Sequence, residues 1–249
     1  MEIVINHKLI SKEEIDKWEL KRLRYEYHFL IKKGFRLNPD LLSLAHIDQA
    51  REALGRMKSS QDPEVFRSLL KKRYTFGNFV SKIAAKLSRG NRKFSMAELM
   101  IKHIDMTPEE LMKRIETIML VNSGEHLFMN LATNPDHFVL TATDKNIQEV
   151  IEYTGGSPLP TRFFAHYGDV QGLRSSLSQD YQVQAAGTAM LEDSTIIGGV
   201  RHQIKQEKDG LRFKALVEFP SVLPCYMIRK HQYHLACEFR RWIGYVINA

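Results

Sequence analysis

From Leu127 to Phe219 the sequence breaks into short alternating or β-branched runs, and from about Pro224 to Val246 it becomes one long amphipathic segment. A set of strands followed by a single helix leaves that helix to cover the sheet's apolar face, which points to an α+β fold. The runs are Leu127–Leu131, His137–Thr143, Gln148–Tyr153, Thr161–Tyr167, Val183–Leu191, Thr195–Lys205 and Leu211–Phe219. Asn134-Pro135-Asp136, Gly155-Gly156-Ser157-Pro158 and Lys208-Asp209-Gly210 supply turns between them. The expected architecture is a helix-grip, a curved antiparallel sheet wrapped around the C-terminal helix with a cavity between.

The first hundred residues read as helices. Ser11-Lys12-Glu13-Glu14 is a capping box that leads into a charged helix running to about Leu30, and Gly34 stops it. Asn38-Pro39-Asp40 and Asp62-Pro63 open two further helical segments, and Phe76–Leu87 and Met96–Ile104 supply two short amphipathic pieces. Thr107-Pro108-Glu109-Glu110 opens the next helix after a boundary near Asp105. The chain therefore divides into a basic, all-helical region at 1–105 and a ligand-binding or catalytic domain at 106–249. Residues 1–105 hold 22 Lys and Arg against 13 Asp and Glu, whereas 106–249 hold 14 against 16. A basic surface of this kind suits nucleic acid, acidic lipid or an acidic protein, or is simply a solvated helical face. No zinc-finger spacing, aromatic RNA-binding signature or helix-turn-helix supports a nucleic-acid role.

His231, His234 and Glu238 fall three and four residues apart on the final helix and so share one face. That face adjoins the inward apolar stripe of Leu235, Phe239 and Trp242. A histidine and a carboxylate one turn apart make half of a divalent-metal site, although the same spacing also makes an ordinary ion pair. The sheet offers a second half in His137 and Glu152, each beside a turn. Glu149 competes with Glu152, because residues three apart on a strand point to opposite faces.

The stretch His126–Gly156, with Asn134-Pro135-Asp136-His137-Phe138 and Glu149-Val150-Ile151-Glu152-Tyr153-Thr154-Gly155, resembles the phloretin hydrolase and diacetylphloroglucinol hydrolase family. His234-Leu235-Ala236-Cys237-Glu238-Phe239 is similar to that family's closing metal motif. The resemblance covers roughly residues 107–249. It implies a Bet v 1-like or START-like helix-grip fold and a zinc ion held by His137, Glu152, His234 and Glu238. The implied activity is hydrolysis of a carbon–carbon bond between an aromatic ring and an acyl group. His202 and His166 are candidates to protonate the leaving carbanion. Met129 stands where the family has a tyrosine that contacts the phenol, which points away from a polyphenol substrate.

Two readings follow: a zinc-dependent hydrolase of an acyl–carbon bond in a small ketone, or a non-catalytic binder of small hydrophobic ligands with a basic helical partner-binding region. Expected partners are a small molecule and, through the N-terminal helices, a second copy of the chain, with no membrane partner. Met1–Ile10 has no signal-peptide pattern and no apolar run is long enough to span a bilayer. Cys225 and Cys237, if both helical, lie too far apart for a disulfide. The expected setting is cytoplasmic.

Overall fold

The protein, seen as a computed structural model, is described over residues 1–248. Its elements in chain order are β1 (Glu2–Ile5), β2 (Lys8–Ile10), α1 (Lys12–Ile31), α2 (Ile47–Ser59), α3 (Pro63–Ser88), β3 (Arg92–Lys102), α4 (Pro108–Leu120) and α5 (Gly124–Ala132). β4 (His137–Asp144), β5 (Ile147–Glu152), β6 (Thr161–Tyr167), β7 (Val183–Met190), β8 (Ile196–Glu207), β9 (Gly210–Pro220) and α6 (Cys225–Ile247) complete it. Two single turns of 3-10 helix, Pro39–Leu41 and Leu44–His46, lead into α2.

The nine strands form one antiparallel sheet in the order β2-β1-β3-β9-β8-β7-β6-β5-β4. This overturns the expected helix-grip fold and the expected all-helical N-terminal region. The sheet is open, and β1, β2 and β3 from residues 1–105 belong to it. Only the long C-terminal helix laid against an antiparallel sheet matches the expectation. The physical reason lies in Met96–Ile104, read as helical because Met, Ala, Glu and Leu favour helices. In the structure Ser95, Ala97, Leu99 and Ile101 are buried alternately with their neighbours, and pairing along all of β9 decides the conformation. Leu127–Leu131 errs in the opposite direction: Ser123 caps the His126 amide, and the run is the helix α5.

Two apolar cores follow from this layout. One lies between the sheet and α4 and α6, with Leu99, Phe213, Leu235, Phe239 and Trp242 among its members. The other packs α1, α2 and α3 onto Phe138, Val139, Ile151 and Tyr153. β4 and β5 are thus covered on both faces, which explains the unbroken apolar runs Phe138–Leu140 and Val150–Ile151. Between the sheet, α3 and α6 lies a cavity of about 350 Å³. Its walls are mostly apolar, including Met119, Leu140, Val150, Phe163 and Trp242. Among the described residues, no helix is long and apolar enough to cross a membrane.

Candidate metal centre

His137 opens β4 and Glu152 closes β5, and the two are direct cross-strand partners. Asn134 Oδ1 accepts the Asp136 amide at 3.0 Å, an Asx turn that sets the bend before His137. Asn134 Nδ2 also donates to the His234 carbonyl at 3.3 Å, tying that bend to α6. On the other side, Gly155 takes φ +60°, and a side chain there would stand 2.8 Å from the His231 backbone. The turn after β5 therefore lies directly on α6, which delivers His234 and Glu238 one helical turn apart.

These four side chains converge while buried. His137 Nε2 lies 3.4 Å from Glu152 Oε2 and 3.6 Å from Glu238 Oε1. His234 Nε2 lies 3.7 Å from a carboxylate oxygen of each glutamate. A tetrahedral ion with bonds of about 2.0–2.1 Å needs donor atoms roughly 3.3–3.5 Å apart, close to these separations. The hydrogen bonding frees the His137 imidazole for such an ion and allows His234 to be turned to the same use. His137 Nδ1 faces the Asn130 carbonyl at 2.9 Å; a carbonyl only accepts, so Nδ1 carries the proton and the Nε2 lone pair is free. Nε2 is buried without any hydrogen-bond partner. His234 Nδ1 faces Asp136 Oδ2 at 3.6 Å and the Gly155 amide at 3.3 Å, and one nitrogen cannot serve both. Asp136 Oδ2 is buried with no hydrogen-bond partner, so a proton on Nδ1 would serve it, at the expense of the Gly155 contact, and would leave Nε2 facing inward as an acceptor.

The electrostatics ask for a cation. Burial pushes Glu238 up to about 8 despite His234, with Glu152 adding to the rise, and burial likewise raises Glu152. Burial alone would lower His234, but the Asp136 hydrogen bond and the charges of Glu152 and Glu238 outweigh it and lift the imidazole to about 9. Without an ion the cluster holds protons instead: at neutral pH His234 is charged and Glu238 keeps its own proton. Burial and the neighbouring His234 hold His137 well below its ordinary value, so it stays a neutral ligand. Two overlapping buried triads could hold a divalent metal, His137 with His234 and Glu238, and Glu152 with His231 and His234; the four expected ligands are divided between them.

The other sequence candidates fall as follows. His231 stacks on His234 with ring centroids 5.0 Å apart and shares Nδ1 with Ser95 Oγ at 2.9 Å. Glu149 is gripped by Arg67 and Arg162 at 2.6 and 2.7 Å, which removes it as a ligand and leaves Glu152. His202 lines the cavity, packed on Phe239, and its Nδ1 is buried without a partner. Burial holds it down to about 3. His166 does not join the site. On β6, Thr161, Phe163, Ala165 and Tyr167 line the cavity, so His166 belongs to the opposite face. Tyr167 takes the position expected of it; the alternation of that strand, with Phe163 and Ala165 inward, carries the signal.

Three supporting residues have no sequence signature. Asn130 accepts from Trp242 Nε1 at 3.0 Å and offers its carbonyl to His137. Arg22 Nε donates to Asp136 Oδ1 at 2.6 Å. Lys58 Nζ donates to the carbonyls of Pro135 and His137 at 2.8 and 2.5 Å, on either side of Asp136. Helices α1 and α2 thus hold the ligand-bearing turn from behind. The site is a buried cluster of two histidines and two glutamates, of which Glu152, His234 and Glu238 line the apolar cavity. No family model matches the chain, and a comparison with curated proteins finds no match either.

Proposed function

We propose that the chain is a zinc-dependent hydrolase that cleaves an acyl–carbon bond in a small, largely apolar ketone. The observation that carries this reading is the buried His137 Nε2, unpartnered and directed at Glu152 and Glu238 on the cavity's inner wall. The resemblance of residues 107–249 to the phloretin hydrolase family supports the same four ligands. Zinc held there would polarise a carbonyl and lower the pKa of a water molecule to about 7. The apolar walls hold the body of the substrate and exclude bulk water, which strengthens the polar contacts at the inner end. Water adds to the acyl carbon and the carbon–carbon bond breaks, giving a carboxylic acid and a carbanion that must take up a proton. Tyr167 faces the cavity with its hydroxyl kept protonated by burial and by the nearby Glu238, so it can donate to the leaving fragment. His202, kept neutral by burial, is suited to accepting or donating a hydrogen bond and is a poor source of a full proton.

A second reading has its own support: four protein donors fill a tetrahedron, as in closed sites, which favours a zinc-stabilised binder of apolar ligands. Elemental analysis and a screen of acyl-phenols and β-diketones separate the two. The hydrolase reading expects about one zinc per chain, lost in His234→Ala and Glu238→Ala, with acid release from at least one ketone. Bound zinc without turnover of any ketone favours the binder, and metal-free protein whose folding is unaltered in both variants defeats both.

A further inference from the structure

The outer side of α3 is unusual for a protein surface. Phe76, Phe79, Ile83 and Leu87 are 56%, 58%, 42% and 65% exposed, and with Val80 they recur at the spacing of one helical face. Phe76 and Phe79 stack on each other. The neighbouring face of the helix is already used: Phe66, Leu70 and Tyr74 are buried, and Gly77 rests on the Pro160 carbonyl. The exposed stripe is therefore a second apolar face without a partner in the fold.

Two further features say what this face fits. Val80 and Tyr226 belong both to the exposed apolar surface and to the lining of the cavity, so the stripe borders the cavity's mouth. The charges that α3 itself places beside the stripe are of one sign. Lys72, Lys82 and Lys86 lie three or four positions from Phe76, Phe79 and Ile83 respectively, and Lys230 stands over the Tyr226 ring. The only acidic residue of α3 is Glu64, at the far end and paired with Arg67. Lys82 is answered by Asp193, whereas Lys72 and Lys86 have no ion pair among the described residues. A second copy of the chain packed on this face would set lysines against lysines. An anionic surface with an apolar interior answers both the stripe and its flanks.

We propose that the α3 face docks peripherally on anionic lipid, seating the cavity mouth against the bilayer so that apolar ligands enter from it. Aromatic and aliphatic side chains would sink to the level of the acyl boundary while the lysines meet the headgroups. Among the described residues no helix is long and apolar enough to cross a membrane, so the proposed contact is with one leaflet. This inference is independent of the metal and of the reaction at the inner end.

Vesicle co-sedimentation of the full chain tests it. Mixed phosphatidylcholine–phosphatidylglycerol vesicles should carry the protein down at low salt, pure phosphatidylcholine far less, and added salt should release it. Phe79→Ser and Leu87→Ser, both exposed and outside the cavity lining, should each weaken binding about tenfold. Leu9→Ser, an exposed apolar residue on β2, should leave it unchanged. Circular dichroism confirms that each variant is folded. Absence of binding to the anionic vesicles, or equal binding by Phe79→Ser and Leu87→Ser, overturns the proposal. So does a dimer, seen by sedimentation equilibrium, that Phe79→Ser dissociates, since the face would then belong to a second copy.

Discussion

Asp136 is the residue on which the site turns, because its two oxygens face different elements. Oδ1 takes the Arg22 guanidinium of α1, and Oδ2 faces His234 Nδ1 on α6. Replacement by Asn keeps the shape but removes the charge that faces His234 Nδ1. We expect Asp136→Asn to weaken zinc binding about 10–100-fold in a chelator competition assay. It should also cost about 3 kcal/mol in urea unfolding, because Arg22 loses a buried partner. A variant with wild-type affinity would mean that Gly155, and not Asp136, sets the imidazole. Glu26 gives a pH signature of its own. Burial pushes its carboxyl up to about 8 against the pull of Lys58 and Arg22. The folded state therefore holds a proton that the unfolded chain releases near 4.5. The corresponding stability is present at acid pH and is lost as pH rises through about 8. Glu26→Gln should flatten that decline, so the melting temperature of the variant falls less between pH 6 and pH 9 than that of the wild type. Parallel curves would place the proton elsewhere in the Glu26–Lys58–Asp136 group.

At the scale of elements, α3 is held by a close approach and not only by apolar burial. A Cβ on Gly77 would lie 2.1 Å from the Pro160 carbonyl oxygen, a backbone atom that cannot rotate away. Gly77→Ala should thus destabilise the fold by about 1–3 kcal/mol, read as a lower denaturation midpoint at unchanged slope. Elements with strong local signals were legible in the sequence: the Ser11 and Thr107 capping boxes, the strands from His137 onward, and the final helix all form within a few residues of their expected bounds. β3 and α5 were not, because helix-favouring Met96–Met100 is claimed by pairing with β9 and apolar Leu127–Leu131 by packing against α2 and β4. The metal cluster divides in the same way. That His234 and Glu238 share a face is readable from helical spacing, whereas the facing of His137 and Glu152 depends on strand register, for which only the family resemblance offered a guide. Arg22 and Lys58 reach the site through docking of α1 and α2 on β4 and β5, and no local pattern announces that.

For the whole molecule, a metal bound only by the folded chain must appear as stability. Zinc at about 100 times its dissociation constant adds roughly 2.7 kcal/mol, and a domain of this size gains about 2–4 °C per kcal/mol. Differential scanning calorimetry should therefore show the melting temperature rising by about 5–10 °C with zinc and returning with a chelator. An unmoved transition would mean that the four donors meet without an ion. Such a result would leave the proton on His234, lifted to about 9, as the cluster's own counter-charge.

The pairing of β3 with β9 also governs how the chain must come together. Arg92 is opposite Pro220 and Lys102 opposite Gly210, so this long ladder inside the sheet joins segments far apart in the chain. Contacts of such long range make folding slow, since the loop between them must be closed before any reward is collected. During synthesis β3 emerges well before its partner and waits as an exposed edge, with Ala97, Leu99 and Ile101 uncovered. The α6 ligands emerge later still. The His/Glu cluster is therefore assembled late in biogenesis, and a truncated or stalled chain would carry a sticky strand in place of it.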